Sequence, residues 1–399
     1  MNLKEPYLII DLNNNKIIFF VILFDEKKKF RILKNVILEA AGIQDGRIVN
    51  IEIVTKLIKK TITDIEDDIN HFFSNVSVII DPSKINCLNV SGYKKLNGSQ
   101  VSSEDITYIL NDIKKIILNS ENQYSLVHLF NSNFSLDSDN LENLPIGLFG
   151  EFYNQNMTFF LANKNIIKNI KLTFKNCGLN VERIILKSFA EGVNLLSNSN
   201  LDKNFTILRL EKNRINISLF KNKSFVFTED FNFGINLAIK DVAKLCSLRI
   251  IEVENILKKI ELEHVLENNN ESFLEKEYFY ISPYRKIKYQ LILDIILARL
   301  EELFEVCYKN NTNIKNLKNN DKIYFYVETY EYYKNIKFIL ARTKLTTVEC
   351  IYDNNSKENI SAFAYGACEL IINGWEKEAI PVIHKKKSFI SGFFSKLFS

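Results

Sequence analysis

The sequence predicts an α/β protein built from two related halves. Residues 7–38 and 205–230 each contain three short apolar runs joined by polar turns, the pattern of a strand meander. Each meander precedes a segment with apolar residues at helical spacing, 51–63 after the first and 235–245 after the second. A meander followed by a helix, occurring twice in one chain, indicates two half-domains of the same plan.

Length and composition narrow the class of protein. With 399 residues and 46% hydrophobic side chains, the chain is long and apolar enough to form two or three folded domains. The net charge of +4 is too small to indicate nucleic-acid binding. The six cysteines form no close pair, so neither a metal site nor a disulfide framework is indicated. The chain has no signal-peptide pattern and no apolar run of the roughly 18 residues needed to span a bilayer, so we expect a cytoplasmic protein.

A change of pattern divides the first half. We assign residues 1–83 and 164–200 to the first half and 84–163 to an inserted α+β subdomain. Asp81-Pro82 forms the boundary, because proline cannot continue the buried strand predicted before it. In the insert, Ser102 and an acidic first turn predict the start of a helix. The predicted elements of this region are strands at 73–80, 87–90, 124–130 and 133–136, a helix at 101–118, and, after the insert, a helix at 166–174 and a strand at 181–186.

The second half is assigned to residues 201–373. After the second meander we predict a helix at 287–308, a strand at 322–327 and a helix at 361–372, with an unpatterned charged segment at 267–277. Residues 374–384 read as a linker.

The last fifteen residues predict an amphipathic helix. On a helical wheel the apolar side chains cover about half the circle. Lysines precede them and no acidic residue follows Glu378. This combination is typical of a helix that lies in the interface of an anionic membrane, and the alternative is a helix docked on the protein's own core. The residues assigned to the membrane are Lys385, Lys386, Lys387, Phe389, Ile390, Phe393, Phe394, Lys396, Leu397 and Phe398.

Four short motifs lie in the order and spacing of one known family. They are a glycine-bracketed turn at 42–52, a Pro-x-Gly-x-x-Gly turn at 145–150, Cys-Gly-Leu-Asn-Val-Glu at 177–182 and Ala-Tyr-Gly at 364–366. Through these motifs, which are spread over nearly the whole chain, the sequence resembles the bacterial cell-division protein FtsA. The resemblance implies the actin-like fold, in which two ribonuclease-H-like halves face each other, with an inserted subdomain and a C-terminal membrane helix.

The resemblance also implies a function. FtsA-like proteins anchor the FtsZ ring to the cytoplasmic face of the inner membrane at the septum. They bind the FtsZ C-terminal peptide, polymerise with themselves and recruit later division proteins. We therefore expect a peripheral membrane protein that acts by binding and self-assembly rather than as an enzyme. The alternatives are an actin-like pilus-assembly scaffold and an ATPase of the sugar-kinase or chaperone type.

The family's phosphate-binding turns are eroded in this chain. The resemblance implies ATP with magnesium between the two turns, but glycine is absent from both turns here. Glycines are needed there because backbone N–H groups must approach phosphate oxygens closely. We expect weakened ATP binding, and a plain hairpin is the alternative interpretation of the first turn. The residues that the resemblance carries over are Asp11, Asn13, Asn14, Asn15, Lys16, Lys212, Asn213, Arg214, Gly234 and Gly366.

One further position is assigned through the resemblance. Arg299 matches an arginine of the subdomain that receives the acidic FtsZ peptide in FtsA-like proteins, and Glu302 lies one helical turn later. The same two residues also suit a solvated helix face with local ion pairs. Both interpretations stay open at this stage.

Overall fold

The computed structural model describes residues 5–13, 16–26, 29–197, 203–268, 272–317, 322–327, 330–343, 348–352 and 361–379. The chain forms two compact units. Unit 1 comprises Met1–Lys203, Phe220–Val226 and Asn355–Ser399, and unit 2 comprises Asn204–Leu219 and Phe227–Asn354.

The described elements are sixteen strands and ten α-helices. The strands are β1 (Tyr7–Leu12), β2 (Lys16–Phe24), β3 (Phe30–Glu39), β4 (Ile43–Gln44), β5 (Arg47–Ile48), β6 (Asn75–Ile80), β7 (Asn86–Lys95), β8 (Tyr124–Leu136), β9 (Asp139–Leu141), β10 (Phe152–Asn163), β11 (Asn180–Leu186), β12 (Phe205–Leu210), β13 (Ile215–Lys221), β14 (Ser224–Phe231), β15 (Lys322–Val327) and β16 (Val348–Tyr352). The helices are α1 (Ile51–Ile69), α2 (Ser103–Ser120), α3 (Lys164–Asn176), α4 (Lys187–Ser197), α5 (Ile235–Leu245), α6 (Ile250–Lys259), α7 (Leu262–Asn268), α8 (Tyr289–Phe304), α9 (Tyr330–Leu340) and α10 (Ala362–Asn373).

The two predicted meanders are confirmed, and each opens a five-stranded sheet. The first sheet has the order β11-β6-β1-β2-β3, with β6 parallel to β1 and β11 parallel to β6. The second has the order β14-β13-β12-β15-β16, with β15 parallel to β12 and β16 parallel to β15. Every residue of β1 and of β12 is buried, as expected for a strand covered on both faces. The two sheets therefore share one topology, which explains the repeated pattern in the sequence.

Helix α1 shows why the predicted elements form where they do. Its N-cap is Asn50, whose side-chain oxygen accepts a hydrogen bond from the Ile53 amide at 3.0 Å. The apolar face of the helix, which includes Val54, Ile58 and Ile62, is buried. Burying such a face contributes most of the stability of a helix in a folded domain.

Residues 84–163, which we predict to be an inserted subdomain, contain an antiparallel sheet with the order β7-β10-β8-β9, covered by α2. The predicted cap at Ser102 is confirmed as a capping box with Asp105. Gly92 lets α2 approach closely, because a Cβ atom at this position would lie 2.3 Å from Ile109. The two strands predicted at 124–130 and 133–136 are one strand, β8, whose pairing with β10 shifts register twice. These shifts explain why the alternation of apolar residues is interrupted between them.

Helix α10 lies in unit 1, where it packs on α4. A Cβ atom at Gly366 would lie 1.8 Å from the Ala190 carbonyl oxygen, so only glycine allows this close contact. We had assigned α10 to the second half from its place in the sequence. The division of the chain into a split first half, an insert, a second half, a linker and a tail stays a prediction.

Candidate functional site

The first candidate turn is a hairpin closed by its own main chain. Asp11 is fully buried on β1, where it lies opposite Ile18 of β2. The Asn13 amide donates a hydrogen bond to the Lys16 carbonyl at 3.0 Å. The Lys16 side chain is exposed. Asn14 and Asn15 lie outside the described residues, so their predicted role stays a prediction.

The second candidate turn is closed onto the start of α5. The Glu211 amide donates to the Arg214 carbonyl at 2.9 Å. The first amides of α5 donate back to the turn, Ile235 to the Glu211 carbonyl at 3.1 Å and Asn236 to the Lys212 carbonyl at 3.0 Å. The N-terminal amides of a helix are the groups that commonly bind an anion. In unit 2 the turn itself occupies two of these donors.

Gly234 makes this closure possible. A Cβ atom at Gly234 would lie 2.3 Å from the Glu211 carbonyl oxygen and 2.8 Å from the Arg214 amide nitrogen. The backbone at Gly234 is extended, a conformation open to any residue. Close approach of the turn therefore explains the glycine at this position.

A carboxylate fills the second turn. The Glu211 Oε1 atom lies 2.9 Å from Arg209 Nε and 2.9 Å from Arg214 Nη2. Arg214 also lies 3.6 Å from the carboxylate of Asp230. These four side chains, which we call the arginine cluster, are at most 16% exposed. Arg214 donates two hydrogen bonds to Glu211, at 3.2 Å and 2.9 Å, and charge-assisted pairs of this kind are among the strong hydrogen bonds of proteins.

The other residues that the resemblance carries over at the second turn have partners of their own. Lys212 Nζ lies 2.8 Å from the carboxylate of Glu254. Asn213 accepts a hydrogen bond from Asn236 at 2.5 Å. A phosphate group would need unoccupied hydrogen-bond donors at this turn. The turn instead contains the carboxylate of Glu211, and the donors described here already have acceptors. The second turn, as it is arranged here, therefore does not fit a nucleotide phosphate group.

Arg299 lies on α8 and binds two carboxylates of unit 2. Its Nε atom donates to Asp241 at 2.5 Å, and its Nη1 atom donates to Glu302 at 2.6 Å. The hydrogen bond to Asp241 raises the pKa of the Arg299 guanidinium. The local ion pairs of the second interpretation are thus present, and an acidic peptide would compete with them. Peptide binding at Arg299 and Glu302 stays a prediction.

Sequence reasoning missed a buried charged group in unit 1, which we call the buried triad: His128, Arg183 and Glu378. His128 Nδ1 lies 2.6 Å from Glu378 Oε1, and Arg183 Nη2 lies 2.5 Å from Glu378 Oε2. The Leu186 amide donates to His128 Nε2 at 3.1 Å. Because Nε2 is an acceptor, the proton of a neutral imidazole lies on Nδ1 and points to Glu378.

The pKa directions agree with this arrangement. Burial lowers the pKa of His128, which keeps the imidazole neutral near pH 7. Burial acts to raise the pKa of Glu378, but Arg183 and then His128 outweigh it, so the net shift is downward. The triad thus holds one positive and one negative charge inside unit 1 with a neutral imidazole beside them.

Glu378 belongs to residues 374–379, which we call the strap. The strap bonds to β8 on both sides of Glu378: the Asn131 amide donates to the Lys377 carbonyl at 2.9 Å, and the Ala379 amide donates to the Leu129 carbonyl at 2.7 Å. Earlier in the strap, Trp375 Nε1 donates to the Lys223 carbonyl at 2.8 Å. The predicted membrane residues 385–399 follow the strap and lie outside the described residues.

Two possible features are absent from the part of the chain that the structure describes. No described helix is long and apolar enough to cross a bilayer. Within the same residues, no cluster of histidine, cysteine and acidic side chains is arranged to hold a metal ion.

Comparison with known proteins gives consistent results. No protein-family model matches the chain. Over 278 residues it is 21% identical to a cell division protein FtsA from Buchnera aphidicola subsp. Schizaphis graminum. The aligned region covers 70% of this chain and 66% of that protein, so it spans just under two thirds of the relative's length. Over 307 residues it is 20% identical to the FtsA of Neisseria meningitidis serogroup B, covering 77% of this chain and 74% of the relative.

A solved structure shares the fold. A chain of the PilM–PilN type IV pilus biogenesis complex aligns with a TM-score of 0.57 over 91% of this chain and 96% of that chain, at 9% identity. The chain is a divergent FtsA-like protein. Its fold is the actin-like α/β fold that the resemblance implies.

The glycines of this FtsA-like chain distinguish positions where the fold needs glycine from positions where phosphate binding would need it. Gly42 and Gly46, in the first motif, have left-handed backbone angles of φ +82° and +67°. A Cβ atom at Gly46 would also lie 2.4 Å from the Asp81 carbonyl oxygen. Glycine is therefore retained where the fold requires it, whereas the two phosphate turns contain none.

Proposed function

We propose that this FtsA-like protein acts in cell division as an adaptor between FtsZ polymers and the cytoplasmic membrane. It works by binding and self-assembly, with no catalytic step. The relatives named cell division protein FtsA support the process. The sequence of the tail supports peripheral attachment at the division septum, where the adaptor recruits later division proteins.

The observation that carries the non-enzymatic part of the proposal is the closed second turn. The amides of Ile235 and Asn236 donate to turn carbonyls, and Glu211 binds two arginines. An ATPase of the sugar-kinase or chaperone type needs these donors for phosphates. An adaptor does not need them, because it acts through its surfaces.

The tail predicts weak attachment by a single molecule. Six half-buried apolar side chains give roughly 5–8 kcal/mol of transfer free energy. Four lysines add about 1 kcal/mol each near an anionic surface. Ordering fifteen residues costs about 1 kcal/mol per residue, so for a single molecule the ordering cost is as large as the gain or somewhat larger. A polymer carries many tails, and each attached tail raises the effective concentration of the next one. Assembly and membrane binding therefore reinforce each other.

The test is sedimentation of FtsZ polymers with vesicles that contain anionic lipid. We expect the full-length protein to carry FtsZ into the vesicle pellet. Truncation after Ile383, or Phe393→Glu with Phe394→Glu, should abolish this. The matched control, Ser391→Glu with Ser395→Glu, adds the same charge to the polar face and should retain most of the binding. Equal sedimentation of all variants would show that the tail is not the anchor.

A pilus-assembly scaffold is the second candidate, because the PilM–PilN complex contains a chain of the same fold. The two candidates differ in their partner. An adaptor of the first kind binds an acidic FtsZ C-terminal peptide, and a scaffold of the second kind does not. Failure of the full-length protein to bind FtsZ with the tail intact would favour the scaffold.

A further inference from the structure

A cavity of about 630 Å³ in unit 1 has no role in the proposed function. It lies among β8 and β9, the turn between β13 and β14, and the strap. Its charged lining consists of Lys203, Lys223, Lys377, Glu142 and Glu376, so we call it the lysine cavity.

The ammonium group of Lys377 is the most enclosed of the three. It donates to the main-chain carbonyl of Glu142 at 2.8 Å and lies 5.8 Å from the centre of the Phe134 ring. Burial lowers the pKa of Lys377. The carboxylates of Glu376 and Glu142 act to raise it, and the positive charges of Lys203 and Lys223 act to lower it. The three ammonium groups are thus close enough to repel one another.

Lys223 is held in an unusual conformation. Its backbone is left-handed, with φ +64°, in a tight turn where asparagine or glycine is the usual residue. Its amide donates to the Lys203 carbonyl at 3.0 Å, and its own carbonyl accepts from Trp375 of the strap. The main chain therefore fixes Lys203 and Lys223 side by side at the cavity.

The two carboxylates of the lining lie at its rim. Glu142 is 77% exposed and 3.0 Å from Lys203, and Glu376 is 51% exposed and 3.3 Å from Lys223. Exposed ion pairs of this kind contribute little to stability, so an anion that contacts several lysines can displace them. Three lysines and two glutamates leave a net charge of +1 in the cavity.

We propose that the lysine cavity binds the phosphate group of an anionic lipid headgroup. Lysine ammonium groups are common phosphate ligands, acting as point charges. The inference that the phosphate belongs to a lipid rests on the proposed function, in which the tail binds the membrane. Only residues 380–384 separate the strap from the tail, and this segment reaches roughly 20 Å when extended. A tail bound to the membrane therefore keeps the cavity close to lipid phosphates.

The test uses the full chain with two probes, sn-glycerol 3-phosphate by titration calorimetry and vesicles of phosphatidylglycerol or phosphatidylcholine by sedimentation. The cavity variant is Lys203→Gln with Lys223→Asn and Lys377→Met, in which asparagine tolerates the left-handed turn and methionine preserves the packing of Lys377. The matched control removes three exposed lysines from helices of unit 1: Lys60→Gln with Lys115→Gln and Lys168→Gln.

A lysine near an anionic surface contributes about fivefold in affinity. We therefore expect the cavity variant to lose on the order of tenfold or more in binding both glycerol phosphate and phosphatidylglycerol vesicles. The control should lose clearly less. Lys203→Gln alone, at an exposed side chain that folding tolerates, should lose about fivefold.

The outcomes separate the sources. Equal losses in the cavity variant and in the control, with both probes, overturn the proposal. Loss of glycerol phosphate binding with unchanged sedimentation supports a phosphate site and overturns the lipid source. Failure of the tail is a different result: Phe393→Glu with Phe394→Glu would then sediment like the parent protein.

Discussion

Removal of the Glu378 carboxylate should release the strap. In Glu378→Ala, the buried guanidinium of Arg183, only 6% exposed, loses the carboxylate that it contacts through both oxygens. His128 loses its acceptor as well. Removing one partner of a buried ion pair lowers the free energy of unfolding by about 3–5 kcal/mol. The unfolding free energy of unit 1 should fall by that amount unless the strap leaves first.

The matched control lies two residues away. Glu376→Ala removes a carboxylate of the same strap that is 51% exposed and 3.3 Å from Lys223. Exposed pairs contribute about 0–1 kcal/mol. The two variants therefore remove the same charge from the same segment, and they differ in burial.

The assay is urea unfolding followed by tryptophan fluorescence and by far-UV circular dichroism. Trp375 is the only tryptophan and lies in the strap, so fluorescence reports strap release. In Glu378→Ala we expect the fluorescence transition to move to lower urea than the dichroism transition. In Glu376→Ala the two transitions should stay together. If the free energies obtained from the fluorescence transitions of the two variants differed by less than about 1 kcal/mol, the reasoning would be refuted.

Four further predictions concern other parts of the chain. ATP titrated by calorimetry should show no submicromolar binding, and phosphate-dependent binding in that range would contradict the closed turn. Arg299→Glu should weaken FtsZ-peptide affinity by about 1–3 kcal/mol, measured by fluorescence anisotropy, and unchanged affinity would reject the assignment. Gly234→Ala should destabilise unit 2 by about 1–3 kcal/mol in urea unfolding, because its Cβ would lie 2.3 Å from the Glu211 carbonyl oxygen. Acid should release the strap, and Trp375 fluorescence measured against pH should report this release. Because the pKa of His128 is lowered in the folded protein, the free energy of unfolding falls as the pH drops below 6.5, the ordinary pKa of histidine. The pKa of Glu378 is lowered too, so the free energy of unfolding falls further as the pH drops below 4.5, the ordinary pKa of glutamate.

Much of the fold follows from apolar periodicity, and one of the elements that were not predicted shows its limit. Residues 235–245 and 322–327 were predicted with the bounds that α5 and β15 have. Helix α4 was missed, although it lies against α10 in unit 1. Lys187, Glu191 and Asn194 of α4 are as buried as its apolar residues. Buried polar residues weaken the contrast between a core-facing and a solvent-facing side, and the prediction of a helix from its sequence depends on that contrast.

The candidate site was predictable in part. The absence of glycine from the second turn indicated a loss of phosphate contacts, and weakened ATP binding stays a prediction. The partners of Glu211 depend on side-chain geometry that the sequence does not show. The buried triad joins residues 195 and 250 positions apart, so no local pattern connects His128, Arg183 and Glu378. Its only sequence signal is that Glu378 is the last acidic residue before the basic tail.

The strap has a mechanical consequence. If the tail is held by a membrane, a pull on the tail that reaches the strap arrives through Ala379. The main-chain bonds of Lys377 and Ala379 to β8 carry this force first, and the Arg183–Glu378 bond lies between them. Tension is thus transferred into the middle of a four-stranded sheet instead of pulling α10 away from α4. The buried carboxylate of Glu378 therefore adds to the load that the attachment of the strap can bear.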